Sequence, residues 1–248
     1  MLNQVQHDKV NNIIVSLGMS DRNRGKLIII EGADGTGKTT QVSLLLAYLK
    51  ANHIQYTMYD FPQYETFYGK LIASYLRGEL GTLATISPYI SALLFALDRS
   101  TIANQMQKDI DAGMLLIANR YVTSNMAHQG GRFTTDQERK VFFSWLEKLE
   151  YDQNKMPRED AVLLLDMPAS SAVTLIDTKG PRKYLHGTTK DIQESDKNHR
   201  LDTAKMYRYL ADNNTHWHTI SCIQNGTIRS REDIGGQIVK ILKQKGIL

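Results

Sequence analysis

A single cysteine, Cys222, is all that this chain of 248 residues carries, so no disulfide can form within it. That excludes a disulfide-stapled scaffold and points to a reducing, cytoplasmic setting. Cys222 stands between Ile220 and Ile223 and reads as a small core side chain rather than a reactive thiol. Long apolar runs are missing too. Near the N-terminus the longest is Ile13 to Val15, far short of the apolar core of an export signal. No window reaches the about 20 apolar residues of a membrane helix, so no membrane association is expected. Blocks of Lys and Arg are absent, as is any interleaving of basic with aromatic residues, and nucleic acid is not an expected partner. The net charge of +4 suits an anionic small ligand and a merely solvated basic surface equally. Gly and Pro are not enriched, which argues against a long disordered tract. What the chain does have is 42% hydrophobic and 23% charged residues, enough for a sizeable core in one α/β domain.

Val10, Ile13, Ile14 and Leu17 are spaced for one face of a short helix, ended by Gly18 and followed by a polar link to Gly25. This extension suits a docked helix, a dimer contact or a mobile tail equally. Leu27 to Ile30 is short and β-branched, as a strand buried on both faces should be. A Gly-rich turn and an amphipathic helix, Thr39 to Leu49, follow it. Further strands are expected at Gln55 to Tyr59, Leu115 to Ala118, Val162 to Leu165 and Trp217 to Ile223. Helices are expected at Gly69 to Leu76, from Ser87-Pro88 to about Asp111, and from about Glu232 to Lys245. Strands alternating with helices predict an α/β fold: a doubly wound, five-stranded parallel sheet with helices on both faces.

The strongest local signal is Gly32-Ala33-Asp34-Gly35-Thr36-Gly37-Lys38-Thr39, a G-x-x-x-x-G-K-[ST] match set between a strand and a helix. Glycines let backbone N–H groups turn inward around a phosphate, and the following helix points its N-terminus at the same anion. Lys38 is placed for the β- and γ-phosphates, and the Thr39 hydroxyl for Mg²⁺. Gly32, Asp34, Gly35, Thr36, Gly37, Lys38, Thr39 and Thr40 are the candidate ATP-binding residues. The motif alone does not separate a kinase from an ATPase or a GTPase, although the Asn-Lys-x-Asp guanine motif of GTPases is missing.

Behind this loop come, in order, Phe61-Pro62-Gln63-Tyr64, then Leu94 to Arg99, then Asn119 to Asn125 after the third strand. A lid-like stretch from Arg182 to Glu194 and the segment Tyr209-Leu210-Ala211 follow. This ordered set resembles the thymidylate kinases, from about Lys26 to the C-terminus. The resemblance implies one P-loop nucleotide kinase domain over 26–248, with a lid at about 178–196 and the extension 1–25 outside it. It implies transfer of the ATP γ-phosphoryl group to dTMP, Mg²⁺ as cofactor, and a homodimer joined along the helix after Pro88.

Site roles carry over residue by residue. Phe95 is implied to stack on thymine; on its spacing alone, between Leu94 and Leu97, it reads rather as a core aromatic. Arg99 and Asn125 are implied to read the base edge. Arg120 is implied to grip the dTMP phosphate, through a fork that holds two oxygens. Phe61 and Tyr64 line the acceptor site, Asp34 contacts the sugar 3′-hydroxyl, and His128 lies near the sugar. Asp191 is implied beside the nucleoside, and Glu194 beside the metal. Because Gly35 follows Asp34, the transition-state cation is expected from the lid: Arg182 first, with Lys179 and Lys183 clustered around Gly180-Pro181 and Arg200 as an alternative. Lys38, Asp34, Arg120 and Arg182 are thus the expected catalytic set. One position departs from the family pattern. Asn119 stands where the resemblance implies an aspartate that helps hold hydrated Mg²⁺, and Asn is the weaker partner for a hard cation. This leaves open a kinase for another nucleotide or deoxynucleoside, or a catalytically weak nucleotide-binding module.

Overall fold

The computed structural model describes residues 24–168, 171–172, 183–187 and 190–248. The helix expected at 10–17 lies outside them, as do Lys179, Gly180, Pro181 and Arg182.

Five parallel strands form the central sheet in the order β2-β3-β1-β4-β5. They are β1 (Lys26–Glu31), β2 (Tyr56–Asp60), β3 (Leu115–Asn119), β4 (Ala161–Asp166) and β5 (Trp217–Ser221). Alternating residues of the central strands serve two cores, as the two-residue period of a strand requires. Ile28, Ile30, Ile117 and Leu163 face one layer, made by α1 (Lys38–Ala51) and the C-terminal helix. Leu27, Ile29, Leu116 and Leu164 face the other, where the remaining long helices pack. Both faces are covered, as the near-continuous apolar strands predict. Cys222 is fully buried among the first set, and burial pushes its thiol up to about 11, so it is a core side chain.

The remaining elements in chain order are α2 (Phe67–Leu76), α3 (Pro88–Ser100), α4 (Ala103–Asp111), α5 (Val122–Gly130) and α6 (Asp136–Glu147). The last of these runs on into a π-helical turn, Lys148–Gln153. After β4 come a single 3₁₀ turn, Lys183–Leu185, then α7 (Ile192–Ser195), α8 (Lys197–Asn213) and α9 (Arg231–Gln244). No helix among the described residues is long and apolar enough to cross a membrane.

Two expectations are corrected. The helix begun at Ser87-Pro88 does not run to Asp111 but breaks between Ser100 and Ala103. There the hydroxyls of Ser100 and Thr101 bond the carbonyls of Leu97 and Asp98 at 2.8 and 2.7 Å, and Ile102 N bonds Arg99 O three residues back. Side-chain hydroxyls competing for helix carbonyls favour such a break. The fifth strand ends at Ser221, because Ile223–Gln224 turn away to pair with Thr227–Ile228 in a separate hairpin, β6 and β7. Asn225 and Gly226 make its turn with φ of 52° and 76°, the left-handed pair that a tight hairpin demands.

Candidate active site

The site lies at the C-terminal ends of the strands, where ligands of open parallel sheets bind. After β1 the chain enters the Gly-rich loop. At Gly32, with φ of 148°, a Cβ would come within 2.7 Å of both Leu165 O and Thr36 Oγ1, so only glycine fits. Gly37 precedes α1 in a left-handed conformation, and no side chain caps the helix. No acidic residue stands in its first turn, so the N-terminal dipole is not offset there. Lys38 Nζ donates to Gly32 O at 2.7 Å and Ala33 O at 3.0 Å, which holds the ammonium over the loop.

From the loop opens a cleft of about 1640 Å³, bordered by Gly35 to Gln41, Asp60, Asn119, Lys183 and the residues around Arg229. A second, smaller cavity of about 70 Å³ lies beyond it, lined by Phe95, Arg99, Asn125, His128 and Asp191. Asp34, Phe61, Pro62, Tyr64, Arg120 and Tyr184 line both. The two spaces therefore meet at the ion pair between Arg120 Nη2 and Asp34 Oδ1.

Arg120 is held from several sides. Its backbone is left-handed, φ 65°, an unusual state for a bulky residue and one that clusters at functional sites. Burial opposes its charge, but Asp34, Tyr207, Glu31 and Tyr64 together outweigh this and keep the guanidinium protonated. His128 Nε2 lies 3.2 Å from Arg120 Nη1, and its Nδ1 lies 3.3 Å from His199 Nε2. Arginine can only donate, so His128 accepts through Nε2 and donates through Nδ1 to His199. Burial, then Arg120 and His199, hold the His128 pKa well below its ordinary value, consistent with a neutral ring. Below Arg120, Glu31 accepts from Tyr121 N and from the hydroxyls of Thr123, Ser124 and Tyr207.

In the smaller cavity, Phe95 meets Tyr75 edge-on, with ring centroids 6.1 Å apart. Arg99 is paired with the fully buried Glu150, which the π-helical turn delivers. Glu150 occupies Nε and Nη2 of Arg99, leaving Nη1 as the donor for a ligand. Asn125 gives its Nδ2 to Ala92 O at 2.9 Å, so its Oδ1 remains as an acceptor. Tyr64 stacks on Tyr184 at 4.1 Å and 7°, and the Tyr184 hydroxyl donates to Asp191 at 3.3 Å. Tyr64 is itself fixed from α3: Asp98 accepts from Gln63 N at 2.9 Å and from Thr66 Oγ1 at 3.1 Å. Gly69 belongs to the same clamp, since a Cβ there would fall 1.8 Å from Gln63 O.

Thus Asp34, Phe61, Tyr64, Phe95, Arg99, Arg120, Asn125, His128 and Asp191 surround one space, and the loop residues Gly35 to Thr40 surround the adjoining one. Glu194 is not brought to either. It is 1% exposed and its Oε2 accepts from Asp191 N in a capping box. Arg200 Nη1 donates to Glu194 O and also borders neither space, whereas Lys183 reaches the cleft. Sequence reasoning missed Asp60, Glu150, Tyr184 and His199. Asp60 was signalled by its place, a carboxylate at a strand's C-terminal end immediately before Phe61-Pro62; the other three carried no local signal.

Comparisons with known proteins show the family. A family model described as thymidylate kinase matches residues 30–234. The thymidylate kinase of Mycobacterium tuberculosis is 32% identical over 186 residues, covering 75% of this chain and 85% of that protein. The thymidylate kinase of Plasmodium falciparum is 28% identical over 220 residues, covering 89% and 90%. A solved structure of thymidylate kinase from Candida albicans shares the fold with a TM-score of 0.68 at 21% identity, covering 90% of this chain and 93% of that one.

Proposed function

The chain belongs to the thymidylate kinase family, and on that premise we propose that it transfers the γ-phosphoryl group of ATP to the phosphate of dTMP, giving ADP and dTDP. The observation that carries this reading is the junction of the two spaces. A phosphate cradle with Lys38 opens on one side of Arg120 and Asp34, and an aromatic pocket with one donor and one acceptor opens on the other.

In this reading Phe95 stacks on the base. Arg99 Nη1 donates to thymine O4, and Asn125 Oδ1 accepts from N3–H. Cytosine reverses both polarities, so dCMP would leave two buried groups unpaired, a cost of about 1–3 kcal/mol each. Arg120, aimed by Asp34 and His128, grips the acceptor phosphate. That phosphate is anionic at neutral pH, so no general base is required, and positioning with charge neutralisation supplies the catalysis. Its oxygen attacks the γ-phosphorus, the bond to the β-bridging oxygen breaks, and ADP leaves with that electron pair.

Lys38 opposes the repulsion between the two anions. Arg182, outside the described residues, is proposed as the lid cation, with Lys183 beside it. The cleft fits a divalent ion through a hard oxygen donor, the Thr39 hydroxyl at the first turn of α1, beside the nucleotide phosphates. Bound there, Mg²⁺ would neutralise charge on the β- and γ-phosphates. The reading includes a homodimer joined along α3, where Ile90 is 52% exposed, and a cytoplasmic location, which suits the lone free cysteine.

The test is ADP release with ATP and Mg²⁺, offering dTMP, dUMP, dCMP, dGMP and AMP separately. Turnover preferring dTMP is expected. No turnover with any monophosphate, from folded protein that still binds ATP, would refute the reading.

A further inference from the structure

We propose that Asp60 orients the water shell of the divalent cation bound with the donor nucleotide, and that Asn119 positions Asp60 for this task. The proposal rests on the phosphoryl-transfer reading above and assigns a residue that reading left open.

Asp60 and Asn119 are register partners at the C-terminal ends of the neighbouring parallel strands β2 and β3. Asn119 Nδ2 donates to Asp60 Oδ1 at 2.8 Å. Asp60 Oδ2 makes no hydrogen bond to the described residues, and the side chain borders the same cleft as Thr39 and Lys38. The field of Asp60 reaches into the cradle, since Lys38 and Arg120 both act on its carboxyl. Although Asp60 is open to the cleft, the surrounding protein desolvates it enough to push its pKa up, against the opposing pull of Asn119, Arg120 and Lys38. A carboxylate left under-compensated in this way is one that a cation would stabilise.

Asn119 carries a second clue. Its Oδ1 is buried with no hydrogen-bond partner among the described residues, an arrangement that is costly to leave in place. Only the amide N–H half of the side chain has a partner, and that partner is Asp60. An aspartate at 119 would set two carboxylates against each other at 2.8 Å, the present separation. The neutral residue on β3 is therefore the counterpart of the charged residue on β2. The charge thus sits on the edge strand β2, with Asn119 holding one carboxylate oxygen and the other facing the cleft, an arrangement that suits contact through a metal-bound water.

The test uses Mn²⁺ as the cation and AMPPNP, which is not turned over, as the nucleotide. Calorimetry gives AMPPNP affinity with Mn²⁺ and with EDTA, and the ratio measures the coupling between metal and nucleotide. Asp60→Asn should reduce this ratio by about 10-fold or more, as loss of an outer-sphere partner does, with the EDTA affinity unchanged within about twofold. Asp60→Asn combined with Asn119→Asp keeps the charge and the hydrogen bond with the roles exchanged, and should recover most of the ratio. A ratio unchanged within about twofold in Asp60→Asn, or a double variant no better than the single one, overturns the proposal. Wild-type protein that shows the expected metal coupling but no turnover of dTMP would sink the kinase reading and leave this one standing.

Discussion

Glu150→Ala should cost about 3–5 kcal/mol of folding stability, because it strands a buried guanidinium without its counter-charge. The side chains of Arg99 and Glu150 are 3% and 0% exposed, and Arg99 donates to both carboxylate oxygens. Asn125 Nδ2 lies 3.5 Å from the same carboxylate, so the loss also reaches the candidate base-reading residue. In a domain stable by about 5–15 kcal/mol, the predicted loss is a large share of the whole. For a chain of this size it corresponds to a fall in Tm of about 6–20 °C. Urea titration followed by the fluorescence of Trp145 and Trp217 would read it. Glu150→Gln keeps an acceptor and loses only the charge, so it should fall between wild type and alanine. Arg99→Met combined with Glu150→Leu removes both ions and should regain most of the stability. That double variant should still bind dTMP poorly, because Arg99 Nη1 is gone. An alanine variant within about 1 kcal/mol of wild type, or a double variant as unstable as the alanine one, would refute the reasoning.

Other expectations concern the site itself. Lys38→Met should lower kcat by about 100-fold or more, measured by ADP release at saturating dTMP. Phe95→Ala should raise the dTMP KM by about 5- to 150-fold, the equivalent of about 1–3 kcal/mol of stacking, and leave the ATP KM nearly unchanged. Burial, with Arg132 adding to it, lowers the His199 pKa to about 4 from 6.5. A depressed folded pKa means that the unfolded chain takes up the proton first. The contribution to stability is therefore complete above about 6.5 and is lost as pH falls toward about 4, by about 3 kcal/mol in all. Urea midpoints between pH 7 and pH 4 should show the fall, and His199→Asn should flatten it.

How much of this was legible in the sequence depends on how local each determinant is. The phosphate loop could be read because its chemistry is carried by eight consecutive residues between a strand and a helix, and the backbone does most of the work. The three central strands could be read because each is a short apolar run buried on both faces, whereas the edge strands β2 and β5 are only partly buried and could be read from β-branched and aromatic residues. The break after Ser100 could not, since it turns on whether two hydroxyls bond back to carbonyls. Helices α5 and α8 are polar over much of their length and escape a hydrophobic template. Partners set by the fold were likewise invisible. Glu150 lies 51 residues from Arg99, and His199 lies 71 from His128.

Glu31 shows why such distant partners matter to a site built largely from motifs. It ends β1, immediately before the loop glycine, yet it borders neither space. Its carboxylate collects donors 90, 92, 93 and 176 residues away, from Tyr121, Thr123, Ser124 and Tyr207. Three of these flank or open α5, the helix that carries Asn125 and His128, and the fourth is on α8, which carries His199. A fully buried carboxylate needs such donors, and here it has four, so the end of β1 is tied to both helices. Arg120 sits between the strand end and the first of these ties. It takes a left-handed backbone because Tyr121 N must reach Glu31 while Arg120 N bonds Ile30 O at 3.2 Å. The phosphate loop and Arg120 are therefore held in register by one buried side chain that borders neither space. Glutamine there would remove the charge and replace one acceptor oxygen by an N–H, which the hydroxyls could meet only by turning round, and the site would loosen before any residue lining it had changed.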